Sequence, residues 1–157
     1  MNISEIALKS APLQDRGQIM EIIKTLPKYF LPAYWSEIED DVKNQPNISA
    51  YSDNDIIGFI NYKIRSPELA EILWMAVSPN FQGQGLGLIL MDEFLRQMRD
   101  KKIKTIELST VASTDNFELY KGTRRFYEKY GFKEIRIDKD YYGPREDRGI
   151  MRLELKN

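Results

Sequence analysis

"FQGQGLG", residues 81–87, puts three glycines into five positions directly after the apolar run "EILWMAVSP", residues 71–79. Glycine inside a helix costs about 1 kcal/mol relative to alanine, so such a cluster needs a reason. Bare backbone is required where a chain approaches a partner closely or turns through a conformation that a Cβ forbids. Upstream, "LAEILWMAV" (69–77) is the most apolar strand of the chain and is read as central, with Pro79 ending it. Downstream, from about residue 85 to residue 100, Leu86, Leu90, Phe94 and Met98 recur on one helical stripe. A glycine loop between a strand and a helix N-terminus is a place where backbone N–H groups can hold a phosphate. Two phosphate loops fail on inspection. The Walker loop needs Gly-Lys-Ser/Thr, and here Leu88 follows Gly87; the G-x-G-x-x-G fingerprint would need glycine at Leu88 or Leu90. Taken alone, the glycines fit a tight turn without ligand equally well.

Composition narrows the chemistry. The chain has 157 residues, 42% of them hydrophobic, a net charge of −1, no cysteine and no histidine. That length suits one domain with a proper core, so residues 1–157 are expected to form a single domain. Disulfides, zinc held by Cys and His, a cysteine nucleophile and a histidine base are all excluded. Proton chemistry falls to Asp, Glu, Lys or Tyr. The near-neutral charge gives no pull toward nucleic acid or an anionic membrane. The basic run "RDKKIK" (99–104) reads as a solvated helix end, its cations facing the negative pole of the dipole. "MNISEIALKS" lacks the order of a signal peptide and no apolar run approaches a membrane span, so a cytoplasmic location is expected.

Outward from the loop the elements alternate. "ISEIALKSA" (3–11) reads as a strand, and Pro12 opens a helix to about Lys24. "LPKYFLPAYW" (26–35) is a loop or broken helix, and "SEIEDDVK" (36–43) a helix capped by Ser36. "NISAYS" (47–52) and "IIGFINYKI" (56–64) form a hairpin, and "TIELSTV" (105–111) is another buried strand. "STDNFELYKG" (113–122) is polar loop. "TRRFYEKYG" (123–131) is a short helix capped by Thr123 and stopped by Gly131. Its Phe126 and Tyr130 are the expected core pair, leaving Tyr127 to point elsewhere. "FKEIRI" (132–137) and "GIMRLEL" (149–155) are the last strands, joined by "DKDYYGPREDR" (138–148). The order predicts a mixed α/β sheet with helices on its faces.

Two motifs then combine. Gln82-Gly83-Gln84-Gly85-Leu86-Gly87 has the form Gln-x-x-Gly-x-Gly after "AVSP", and "FYEKYGF" (126–132) follows later. With this order of elements the chain resembles, over nearly its whole length, the GNAT superfamily of acyl-CoA-dependent N-acetyltransferases. The resemblance implies an α/β (α+β) fold: a mixed, mostly antiparallel central sheet of about seven strands, splayed at the acetyl-CoA site, with helices on both faces. It implies that the loop from Gln82 to Gly87 wraps the pyrophosphate of acetyl-CoA at the positive end of the following helix. It implies that the backbone of Met75, Ala76 and Val77 pairs with the pantetheine arm and helps to stabilise an oxyanion. Glu71 matches the family's general base and Tyr127 the acid that protonates the leaving thiolate. A lysine-like amine is only about 0.1% neutral near pH 7.4, a handicap of about 4 kcal/mol, so a base is needed. The family often has Asn seven residues before the tyrosine; here Tyr120 stands there, and Asn116 is the substitute considered. Arg124 and Arg125 are candidates for the nucleotide's 3′-phosphate, or simply solvated cations.

The acceptor would enter by "YFLPAYW" (29–35), with Phe30, Tyr34 and Trp35, and by "DKDYYGP" (138–144), with Tyr141. Aromatic rings beside Glu37, Asp138 or Asp140 suit a cation. The expected reaction is direct acetyl transfer to a primary amine in a ternary complex, with no metal. A small-molecule or peptide amine is the expected partner, nucleic acid and membrane are not, and a homodimer stays open. Two other classes remain: a non-catalytic acyl-CoA-binding module, and a nucleotide-binding protein using the same loop. A protein N-terminal amine is the substrate variant suggested by "YYGPREDRGIMRLEL" (141–155).

Overall fold

A computed structural model describes residues 5–115 and 118–156. In chain order the elements are β1 (Ala7–Lys9), α1 (Gly17–Lys24), α2 (Trp35–Asn44), β2 (Asn47–Ser52), β3 (Asp55–Ser66), β4 (Leu69–Val77), α3 (Leu86–Asp100), β5 (Thr105–Val111), α4 (Glu118–Lys129), β6 (Lys133–Gly143) and β7 (Glu146–Glu154). Single 3₁₀ turns precede α1, α2 and the glycine loop. The strands form one seven-stranded sheet in the order β1-β2-β3-β4-β5-β7-β6. The β4–β5 pair is parallel, while β1–β2, β2–β3, β5–β7 and β6–β7 are antiparallel. The expected mixed, mostly antiparallel sheet is therefore present. Among the described residues, no helix is long and apolar enough to cross a membrane.

The chain divides into two compact units. The first runs up to Lys63 and resumes over Leu73–Asp100; the second comprises Ile64–Ile72 and the chain from Lys101 onward. In the first unit, Phe59 and Ala76 join Ile19, Ile23, Ile38 and Val42 of α1 and α2 in one buried cluster. On the opposite face of β3 a Cβ at Gly58 would lie 3.1 Å from Leu90 and 3.3 Å from Leu86, so α3 packs directly on bare backbone. Tyr62, on that same face by the two-residue period of a strand, meets Phe94 edge to face at 5.2 Å. Helices thus cover both faces here, and the stripe Leu86, Leu90, Phe94 and Met98 is buried as expected. Arg16 ties α1 to α2 by donating to the carbonyls of Ala11, Val42, Lys43 and Gln45. Three of those carbonyls lie at the C-terminal end of α2, where they lack helical donors.

Four local expectations need correction. Ser36 lies inside α2, and the cap position is Tyr34, which makes no side-chain capping bond. The last helix starts at Glu118 rather than after Thr123, whose hydroxyl donates back to the Leu119 carbonyl from mid-helix. Strand β6 extends to Gly143, so the stretch expected to be connecting loop is mostly a hairpin arm. It survives by absorbing irregularity: Ile135 is an extra residue between the pairs Glu134↔Met151 and Arg136↔Ile150. Strand β5 is only half buried, with Ile106 and Leu108 inward and its other residues partly or fully exposed.

Candidate active site

The first unit carries the glycine loop. After β4, Ser78 donates to the Ile57 carbonyl (2.8 Å) and Phe81 closes a 3₁₀ turn onto Ser78 (2.9 Å). The chain then passes through Gly83 at φ +76° and Gly85 at φ +84°, both in the left-handed region. That region costs an L-residue about 1–2 kcal/mol, and nothing crowds the space where either Cβ would stand. The glycines are required by backbone conformation rather than by packing. Gly87 differs: it lies in the first turn of α3. The Ile89 amide bonds the Gly85 carbonyl (3.1 Å), which makes Gly85 the residue that starts the helix. The Gln82 side chain turns back to the Val77 carbonyl (3.0 Å) and braces the loop against the strand end. Residues 82–85 are exposed. The amides of Leu86 and Gly87 stand at the positive end of a fifteen-residue helix, where the first turn lacks helical acceptors. An anion such as a pyrophosphate fits this arrangement.

Strand β4 is paired with β5 from Leu69↔Thr105 to Ile72↔Leu108, and Met75, Ala76 and Val77 lie beyond that register. Ala76 is buried, while Met75 and Val77 are partly exposed.

The second unit carries the titratable groups. Glu71 sits on β4 with Arg65 of β3 gripping its Oε1 through both Nε (2.8 Å) and a closer terminal nitrogen. Directly across the parallel register stands Glu107 of β5, itself opposite Arg152 of β7. Arg152 grips Glu107 Oε2 in the same way, at 2.8 and 2.6 Å. Two carboxylates therefore lie side by side, each tied to an arginine on its outer side. The sequence reading singles out Glu71 and does not single out Glu107. The signal was there: "AEIL" (70–73) and "IELS" (106–109) each place a lone glutamate between apolar residues of a strand.

Tyr127 lies on α4, its ring 5.4 Å from Phe126 and 5.6 Å from Phe132, both edge to face. Phe126 and Tyr130 do meet, tilted at 54° with centroids 5.8 Å apart, yet both are only half buried. The buried aromatic anchor is Phe132, 2% exposed, just past the Gly131 stop at φ +97°. Burial pushes the Tyr127 phenol up to about 12. Arg124, considered for a nucleotide phosphate, is buried and donates to the carbonyls of Val111 (3.2 Å), Ala112 (3.0 Å) and Asp115 (3.0 Å). Buried and bound to three backbone carbonyls, it is neither a solvated cation nor presented to a ligand at the surface. Arg125 is exposed, 4.0 Å from Glu118. Asn116 lies outside the described residues.

The aromatic segments divide between the units. In the first, Phe30, Tyr34, Trp35 and Trp74 pack against the core cluster, with Phe30 and Trp74 edge to face at 6.2 Å. Trp35 donates to the Phe30 carbonyl (2.8 Å) and Trp74 to Asp41 (2.8 Å), which fixes the segment. In the second, Tyr141 is exposed, and the cation on its ring is the chain's own Arg148, 3.6 Å from the centroid. Hydrogen bonds from Arg148 and Arg136 hold the Asp138 carboxyl below its ordinary range. Asp138 is thus paired internally rather than left free for a cationic acceptor.

Comparison with known proteins gives one consistent result. Residues 17–132 match the model of the acetyltransferase (GNAT) family. The chain is 32% identical over 113 residues to [Ribosomal protein bS18]-alanine N-acetyltransferase of Haemophilus influenzae, covering 69% of this chain and 72% of that protein. It is 30% identical over 95 residues to mycothiol acetyltransferase of Thermomonospora curvata, covering 60% of this chain and 30% of that one. Its fold superimposes on the ribosomal-protein-S18-alanine N-acetyltransferase of Escherichia coli with a TM-score of 0.79, at 22% identity over 97% of this chain and 95% of that one. A GNAT family acetyltransferase from Elizabethkingia anophelis with acetyl-CoA bound gives a TM-score of 0.74, at 21% identity over 96% and 99%. A left-handed glycine loop opening a long helix, a tyrosine on the following helix and a family match over three quarters of the chain lead to one conclusion: this protein is an acetyltransferase of the GNAT family.

Proposed function

We propose that this enzyme transfers the acetyl group of acetyl-CoA to the α-amine of a protein N-terminus, by direct attack in a ternary complex and without a metal. One observation carries the acceptor class: the 32% identity, over more than two thirds of both chains, with a protein named for acetylating an alanine of ribosomal protein bS18. Acetyl-CoA supplies the acetyl thioester. The loop Gln82, Gly83, Gln84, Gly85, Leu86 and Gly87 holds the pyrophosphate through backbone amides. Met75, Ala76 and Val77 present backbone to the pantetheine arm and an amide to the carbonyl oxygen. Glu71 removes a proton from the ammonium acceptor, through water, so that its nitrogen carries a lone pair. Tyr127 donates its proton to the sulfur that leaves; with burial pushing the phenol up to about 12, that proton is in place throughout the physiological range. Phe30, Tyr34, Trp35 and Tyr141 contact the first residues of the acceptor.

The test is turnover of acetyl-CoA on two peptides, one with a free N-terminal alanine and one with that terminus blocked and a free lysine side chain. The reading expects acetylation of the first peptide at least about tenfold faster in kcat/KM, which corresponds to about 1.4 kcal/mol of discrimination. Equal rates on both peptides, or faster turnover of simple amines, would replace the N-terminal acceptor by a general one. Absence of acetyl-CoA binding to folded protein would remove the whole reading.

A further inference from the structure

We propose that Glu107 is a second proton-accepting residue, and that Glu71 and Glu107 work as one carboxylate pair. The inference rests on the reading of Glu71 as the base. Its own ground is the row of charges that the sheet register sets up. Arg65, Glu71, Glu107 and Arg152 follow one another across β3, β4, β5 and β7 in the order plus, minus, minus, plus. Neighbouring strands lie about 4.8 Å apart, and like charges directly opposite each other are destabilising. Each glutamate has its cation on the strand away from the other glutamate, and the parallel register sets the two carboxylates opposite each other with no cation between them.

The bonding is asymmetric in a matching way. Arg65 uses only Oε1 of Glu71, and Arg152 uses only Oε2 of Glu107. Among the described residues, the remaining oxygen of each carboxylate has no hydrogen-bond donor. Both glutamates are partly shielded, at 21% and 23% side-chain exposure, while their arginines are about twice as open. Each carboxylate therefore keeps one acceptor oxygen outside its ion pair, on adjacent strands, and no hydrogen bond among the described residues supplies a donor bridging the two. A water donating to both, or the proton of an ammonium acceptor passed through that water, supplies it. The pair takes one proton from the ammonium and later releases it to bulk water. Arg65 and Arg152 act as positioning residues that keep one oxygen of each carboxylate turned inward.

The experiment measures kcat, acetyl-CoA KM and thermal stability for Glu71→Gln, Glu107→Gln, Glu107→Asp and the Glu71→Gln/Glu107→Gln double variant. Glutamine retains an oxygen for Arg152, so the outer contact keeps an acceptor. The proposal expects Glu107→Gln to lower kcat at least about tenfold with an unchanged acetyl-CoA KM, and Glu107→Asp to recover part of the loss. It expects the double variant to be no slower than the slower single one, since groups acting as a unit are non-additive. A lowered Tm with wild-type kcat in Glu107→Gln makes the residue structural and overturns the proposal. Multiplying losses in the double variant overturn the pair as a unit. Wild-type kcat in Glu71→Gln is a separate failure, because it removes the base role on which the pair depends.

Discussion

Tyr127 gathers the chemical argument into one hydroxyl. Removing that oxygen alone, as Tyr127→Phe, keeps the ring contacts with Phe126 and Phe132 and should leave the fold intact. General acid catalysis contributes about 10²–10⁴-fold, so kcat is expected to fall by at least about a hundredfold with acetyl-CoA affinity little changed. Steady-state kinetics at saturating acceptor check this, and an unchanged kcat would take Tyr127 out of the acid role. Arg124 makes the opposite argument. In sequence it is one of two adjacent cations, "RR", at what reads as a helix start. In the structure it is the one fully buried side chain among the described residues of α4, with three carbonyl partners. Arg124→Met removes this donor from the carbonyls of Val111, Ala112 and Asp115, of which Ala112 keeps the Asp115 amide, and a buried group left unsatisfied costs about 1–3 kcal/mol. A stability loss of about 3 kcal/mol in urea unfolding is expected, with no specific change in nucleotide affinity.

Among the elements, those with strong periodicity were legible in sequence, and those shaped by tertiary contacts were not. The bounds of β4, 69–77, and the buried stripe of α3 agree with the pattern because a continuous apolar run and a 3.6-residue repeat leave little choice. The start of α4 was hidden behind Asp115, Gly122 and other residues of low helix propensity. What the sequence conceals is the Arg124 anchor that holds this helix to the carbonyls after β5. The far half of β6 was hidden by its bulges and by Gly143 and Pro144 at the turn. Glu107 was missed because a strand read as buried gave no reason to ask what a charged residue does on its other face. Two glycines separate local conformation from propensity. Gly85→Ala places a Cβ in a left-handed residue and is expected to weaken acetyl-CoA binding about tenfold, read by calorimetric titration. Gly122→Ala, mid-helix with nothing within 4 Å of the new carbon, is expected to raise stability by about 0.8 kcal/mol.

For the whole molecule, the proposed labour divides along the two units: the anion-binding loop belongs to the first, and Glu71, Glu107 and Tyr127 belong to the second. Each unit also holds one tyrosine with a phenol raised to about 12. Tyr127 is raised by burial, and Tyr51 by burial and by its hydrogen bond to Asp15. A phenol raised above its ordinary 10.0 keeps its proton in the folded chain while the unfolded chain loses it. Its contribution is complete below pH 10, falls as pH climbs toward 12, and is gone above that. Thermal melts from pH 9 to 12 should therefore show a steep alkaline decline, made shallower in Tyr51→Phe and Tyr127→Phe. The three-carbonyl grip of Arg124 has a consequence in time as well as in energy. It fastens the residues after β5 and the middle of α4 to one guanidinium, so neither can fray alone. Deuterium should enter residues 112–115 and the central turn of α4 in a single correlated opening, and the tyrosine one turn away would be released in the same event.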